Sequence, residues 1–154
     1  MIKAPLTRVV VADQSEANFY DMRGRGALKD VGHFADPKAR LHDRDLKSDR
    51  PGRVFDRAPP VKGRRGAGAR HSADGGRSPR KHRAEVFARR IVAQLRKTQR
   101  SGGFDRLVII AAPAFLGLLR VALPKALREV TVREIPKDLV HQDVAAVRRQ
   151  LARR

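Results

Sequence analysis

FDRLVIIAAP, Phe104–Pro113, is the stretch on which the fold turns. After a polar lead, Leu107 to Ala112 run unbroken and apolar until proline closes the segment. A strand with one wet face alternates, whereas a continuous run is what a strand buried on both faces of a sheet requires. This strand therefore belongs inside a sheet covered on both sides.

Reading outward toward the C-terminus, AFLGLLRVAL (Ala114–Leu123) makes a short apolar helix, and Pro124 opens a turn through PKALRE. Val130–Ile135 is a further strand with Pro136 behind it, and Asp143 can cap a last helix that turns Val144, Val147 and Leu151 inward. Alternating strands and helices imply parallel crossovers of the right-handed kind.

Toward the N-terminus, Ser78-Pro79 is a helix start, with serine at the cap and proline at the first helical position. Ala84, Phe87, Ala88, Ile91 and Leu95 then recur on one face, and Ser101-Gly102-Gly103 is a stop. Arg83, Arg90 and Lys97 form a stripe along one flank of that face, while Arg89, Arg96 and Arg100 project opposite. Glu85 is the sole acid in the helix. Earlier still, Thr7–Ala12, Ala17–Met22 and Leu28–Phe34 read as three strands joined by Asp13-Gln14-Ser15 and by a Gly24/Gly26 turn. Connections this short favour antiparallel neighbours. The order βββ-α-β-α-β-α predicts an α/β fold with a ribonuclease-H-like mixed sheet: three antiparallel strands, then parallel strands in a βαβα run, with helices packed on the sheet.

One domain over 1–154 is expected, interrupted by a basic loop at about 57–80. Apolar periodicity stops after Phe34, and RAPPVKGRRGAGARHSADGGRSPR (Arg57–Arg80) is a Gly-, Pro- and Arg-rich segment of the kind that is mobile or functional.

Charge is the strongest global signal. Lys and Arg number 35 against 16 Asp and Glu, a formal net of +19. Between Arg57 and Arg100 stand fourteen Lys/Arg and two Asp/Glu, so the basicity is concentrated. Such a segment attracts polyanions by neutralising phosphates and releasing counterions. With six Phe, one Tyr, no Trp, and no aromatic from Val61 to Arg80, it offers few stacking platforms for single strands. Cysteine is absent, which removes disulfides and thiolate metal sites. The start MIKAPLTRVVVADQ holds too short an apolar run for a secretory core, and no stretch is long and apolar enough to span a bilayer. A cytoplasmic setting is expected, with no membrane partner.

Enzyme chemistry finds little support. A two-metal nuclease needs carboxylates converging on strand ends. Asp13 ends the first strand and Asp105 begins the fourth, which are opposite ends for parallel strands. Asp43, Asp45 and Asp49 each stand close to an arginine or lysine. The Asp43/Asp45 spacing fails as a calcium loop, because Lys47 and Val54 occupy ligand positions and the turn glycine is missing. There is no G-x-S-x-G, no P-loop and no metal-binding histidine spacing, and His141 reads as a polar loop residue. No catalytic residue, cofactor, metal or small-molecule substrate is predicted.

The dense Arg/Asp stretch RLHDRDLKSDRPGRVFD (Arg40–Asp56) carries a resemblance. Together with VVVADQSEANFYD (Val9–Asp21), SPRKHRAEVFARRIVAQL (Ser78–Leu95), FDRLVIIAAPAFLGLLR (Phe104–Arg120) and EIPKDLVH (Glu134–His141), it makes the chain resemble the bacterial host attachment protein family, proteins required for attachment to host cells. The motif positions are Arg44, Asp45, Ser48, Asp49, Arg50, Pro51, Gly52, Arg53, Phe55 and Asp56. That family in turn looks similar to the middle domain of archaeo-eukaryotic class-one release factors, whose mobile loop ends in Gly-Gly-Gln. Here Gly75-Gly76-Arg77 sits at the comparable place, with arginine for the glutamine. An arginine binds phosphate but lacks the amide's donor–acceptor pair, so the resemblance implies docking on RNA without peptidyl-tRNA hydrolysis.

Two functions follow as expectations. The first is a non-enzymatic, ribosome-associated RNA-binding protein with contacts from Arg64, Arg65, Arg70, Arg77, Arg80, Arg83, Arg90 and Lys97. The alternative is a factor in attachment to host cells that works through a protein partner. A metal-dependent nuclease ranks behind both.

Overall fold

A computed structural model describes residues 3–36 and 78–153. They fall into two units, each taken by itself: residues 3–35 with 84–153, and residue 36 with 78–83. The first unit is built on a five-stranded sheet of order β3-β2-β1-β4-β5. Its strands are β1 (Leu6–Ala12), β2 (Glu16–Arg23), β3 (Lys29–Ala35), β4 (Arg106–Ala111) and β5 (Thr131–Ile135). The helices are α1 (Pro79–Arg100), α2 (Pro113–Ala122), α3 (Lys125–Val130) and α4 (Val144–Ala152).

β1 pairs antiparallel with β2, and β2 with β3, while β1 pairs parallel with β4, and β4 with β5. This is the mixed ribonuclease-H-like layout that the element order predicts. The two apolar runs are its centre. Val9, Val10 and Val11 of β1 and Leu107 to Ala111 of β4 are buried on both faces, because each strand has a neighbour on either side and cover above and below.

The two faces carry separate cores. On one, Val10, Phe19, Leu107 and Ile109 meet Phe87, Ile91 and Leu95 of α1, Leu116 and Leu119 of α2, and Leu127 of α3. On the other, Val9, Val11, Tyr20, Val108 and Ile110 meet Val140 and Val147. The period of two along β1 thus sorts odd positions to α4 and even ones to α1. Burying one aliphatic side chain of this set stabilises the fold by about 1.5–3 kcal/mol.

Three local departures have physical causes. PKALRE is a helical turn, α3, because Leu127 anchors it in the first core, and the Thr131 hydroxyl closes it by donating to the Leu127 carbonyl at 2.7 Å. The following strand consequently starts at Thr131, one residue later than its sequence suggests. Val144 is exposed: it is the first helical residue, and Ala146 and Val147 carry the buried face of α4 instead. Asp143 caps α4 as predicted, its Oδ1 accepting from the Ala146 N–H at 2.9 Å.

Candidate interaction surface on the basic helix

α1 begins in the second unit, where Pro79 holds the first helical position and the Ser78 hydroxyl accepts from the Lys81 N–H at 3.0 Å, the N-cap expected from sequence. Its C-terminal end is equally well specified. Gly102 adopts φ +74°, its N–H donates to the Gln99 carbonyl, and the Gly103 N–H reaches back to the Thr98 carbonyl, both at 2.9 Å. That paired pattern, with glycine in the left-handed conformation, is the Schellman stop. Lys97 and Arg100 in the last turn face the negative end of the helix dipole.

Within the first unit, Ala84, Phe87, Ala88, Ile91, Val92 and Leu95 bury one side of α1. The opposite side presents Arg89, Arg90, Ala93, Arg96, Lys97 and Arg100 to solvent. Among the described residues, Arg89, Arg96, Lys97 and Arg100 meet no carboxylate within ion-pair distance. Ala93, Arg96, Lys97, Arg100 and Ser101 line a shallow surface hollow near the end of the helix.

Arg90 is held differently. Its guanidinium lies 5.5 Å from the Phe34 ring centroid and 5.7 Å from that of Phe87. Phe34 in turn packs edge-on against Phe19, with centroids 5.2 Å apart. The rings orient this cation without neutralising it. The arrangement is a helix with a row of uncompensated positive charge on its exposed side.

Arg90 and Lys97 are thus exposed cations on one flank, as their spacing predicts, and Arg83 is half-buried. Arg80 is exposed at the helix start. Arg64, Arg65, Arg70 and Arg77 lie outside the described residues, as do the motif positions Arg44, Asp45, Ser48, Asp49, Arg50, Pro51, Gly52, Arg53, Phe55 and Asp56.

Of the carboxylates weighed for catalysis, Asp13 and Asp105 have structural work, and Asp43, Asp45 and Asp49 lie outside the described residues. Asp13 Oδ1 accepts from the Ser15 N–H at 2.8 Å, the Ser15 hydroxyl at 3.1 Å and the Glu16 N–H at 2.8 Å, fixing the β1–β2 turn. Asp105 Oδ2 accepts from the Leu6 N–H at 2.8 Å at the far end of the β1–β4 pair. At about 3.3 Å per residue the two acids stand roughly 20 Å apart along the strands, too far to share a metal pair.

A polar cluster that the sequence does not announce gathers at the Asp13 end. His141 Nε2 lies 3.5 Å from Asp13 Oδ2, and its Nδ1 lies 3.4 Å from Glu16 Oε2. His33 Nδ1 contacts Asn18 Oδ1 at 2.7 Å, and Asn18 Nδ2 donates to the Val140 carbonyl at 3.3 Å. These contacts tie the segment after β5 to the β1–β2 turn. His33 and His141 are 108 positions apart in sequence, so only the topology brings them to one edge. Among the described residues, no group of three or more His, Cys, Asp or Glu is placed to hold a metal ion. No helix among them is long and apolar enough to cross a membrane.

Residues 8–151 match the family described as "Protein required for attachment to host cells". The chain is also similar to an uncharacterised protein of Rickettsia prowazekii (strain Madrid E), with 39% identity over 64 residues, 40% of this chain and 43% of that protein. The alignment therefore spans less than half the length of that relative.

Proposed function

Since the chain belongs to the family of proteins required for attachment to host cells, we propose that it serves attachment as a non-enzymatic interaction protein that engages an acidic partner protein through the exposed side of α1. One observation carries the reading: Arg89, Arg96, Lys97 and Arg100 stand solvent-facing and uncompensated on a helix whose other side is locked into the core. Complementary charge steers encounter and selects partners more than it adds raw affinity, so the partner should present a matching acidic face.

A second reading, RNA binding of the ribosomal kind, is favoured by the clustering of fourteen Lys/Arg between Arg57 and Arg100. It enlists Arg64, Arg65, Arg70 and Arg77 of the basic Arg57–Arg80 segment, with Arg80, Arg83, Arg90 and Lys97 on the helix. Its kinship with release-factor middle domains, with Arg77 in place of the glutamine, belongs to the same reading. Contacts of this type would be to phosphates and only weakly sequence-specific.

Co-sedimentation with ribosomes across a salt series separates the two. Protein recognition predicts no retention at physiological ionic strength. RNA recognition predicts a log–log slope of about −3 to −6, for some four to seven phosphates, flattened by Arg64→Ala with Arg65→Ala.

A further inference from the structure

A second concentration of arginine lies away from α1, within the first unit. Met22, Arg25, Gly26, Arg133, Arg148, Leu151, Ala152 and Arg153 line a cavity of about 470 Å³. That size is in the range of small-molecule sites and exceeds what a free inorganic anion needs. Half of the lining residues are arginine and none is acidic.

The walls are built from three separated parts of the chain, each fixed by its own backbone. Arg25 sits in the β2–β3 turn, where Gly24 takes φ +55° and the Gly26 N–H donates to the Arg23 carbonyl at 2.8 Å. Arg133 comes from β5, and its guanidinium donates to the Leu151 and Gln150 carbonyls at 3.0 and 3.3 Å, closing the end of α4. Arg148, Leu151 and Ala152 share one face of α4, three and four residues apart. Met22 and Leu151, both half-buried, supply an apolar wall.

Arg133 is committed to the helix end. The guanidinium groups of Arg25, Arg148 and Arg153 make no hydrogen bond or ion pair among the described residues. Like charges gathered round one cavity repel, and an anion bound among them removes that cost. Guanidinium forks match phosphate oxygens in bidentate fashion, and their planar faces stack on aromatic rings. Several such groups call for more than one negative charge, and the Met22–Leu151 wall calls for an organic body beside it.

We propose that this cavity binds a phosphorylated small molecule of nucleoside-diphosphate chemistry, its phosphates on Arg25, Arg148 and Arg153 and its base and sugar against Met22, Leu151 and Ala152. The site is separate from the α1 surface and does not depend on the partner assigned there.

The test is calorimetric titration of the full chain, at physiological ionic strength, with ADP, adenosine and inorganic pyrophosphate. ADP should bind one per chain, more tightly than either fragment. The paired variant Arg25→Gln/Arg148→Gln should weaken ADP by about tenfold or more through loss of charge-assisted bonds, while Arg89→Gln/Arg96→Gln on α1 leaves it within about twofold of the unaltered chain. Absence of ADP binding at millimolar concentration would overturn the proposal. So would pyrophosphate binding as tightly as ADP, or equal weakening in both variants. A short single-stranded RNA that displaces ADP at lower concentration than ADP itself binds would assign the cavity to polymer ends and overturn the small-molecule assignment.

Discussion

Arg8 and Asp21 face each other in register across β1 and β2, with Arg8 Nε donating to Asp21 Oδ1 at 2.5 Å and Nη2 to Oδ2 at 3.2 Å. The pair lies on the α1 side of the sheet, and the Arg8 guanidinium also sits 5.4 Å from the Phe104 ring centroid. The Arg8 side chain is only 9% exposed. A charge held that deep depends on its partner, because an unpaired buried ion costs more than the pair contributes.

Asp21→Ala should therefore lower stability by about 3 kcal/mol, read as a drop in the urea midpoint at unchanged slope. The double variant Arg8→Met/Asp21→Leu removes both charges and should recover most of that loss. Equal losses for the single and double variants would show that the ion pair is not what matters at this site.

The stop of α1 gives a graded pair. Gly102→Ala meets no atom but must keep φ +74°, a cost of about 1–2 kcal/mol for a residue with a Cβ. Gly103→Ala places its Cβ within overlap of the Thr98 methyl and 3.0 Å from the Thr98 carbonyl oxygen, so part of the motif must shift. Thermal unfolding should rank Gly103→Ala below Gly102→Ala, and both below the unaltered chain.

Tyr20 sets an alkaline limit. Its burial in the second core, with Asp30 opposite on β3 adding repulsion, raises the phenol above its ordinary 10.0. A folded-state value above the unfolded one means that the neutral phenol favours the fold. That contribution is whole below about pH 10 and is lost as pH rises through the folded value. Tyr20→Phe has no proton to lose, so its stability should fall less steeply than the unaltered chain's when denaturation is followed at increasing pH above 10.

Asp13 separates turn geometry from chemistry. Asp13→Asn keeps an oxygen for the Ser15 and Glu16 N–H groups and should cost little, whereas Asp13→Ala orphans them and should cost about 1–2 kcal/mol. Equilibrium unfolding of both variants decides the point, and similar losses would mean that the contact with His141 dominates instead.

Much of the fold was legible because its signals are local. Leu107–Ala111 reads as a strand buried on both faces from its unbroken apolar run, Thr7–Ala12 as a strand from its β-branched residues, and Ser78, Asp143 and Gly102 mark helix ends by capping chemistry alone. The charged side of α1 followed from its seven-residue spacing. What the sequence concealed is long-range. Arg25 and Arg148 share a cavity, and His33 and His141 share a sheet edge, only because α4 and the segment before it return to the β1–β3 side of the molecule. No spacing rule joins residues more than a hundred positions apart. α3 was missed for a different reason: with Pro124 before it and a strand immediately behind, six residues anchored by one leucine look like a turn.

The most direct test of the account is attachment itself. Bacteria lacking this protein are complemented with the unaltered chain or with Arg89→Glu/Arg96→Glu/Arg100→Glu, and adhesion to host cells is counted, with unfolding of the purified variant checked in parallel. The account predicts that the variant folds normally and leaves adhesion at the level of cells without the protein. Adhesion restored in full by the charge-reversed chain would contradict it.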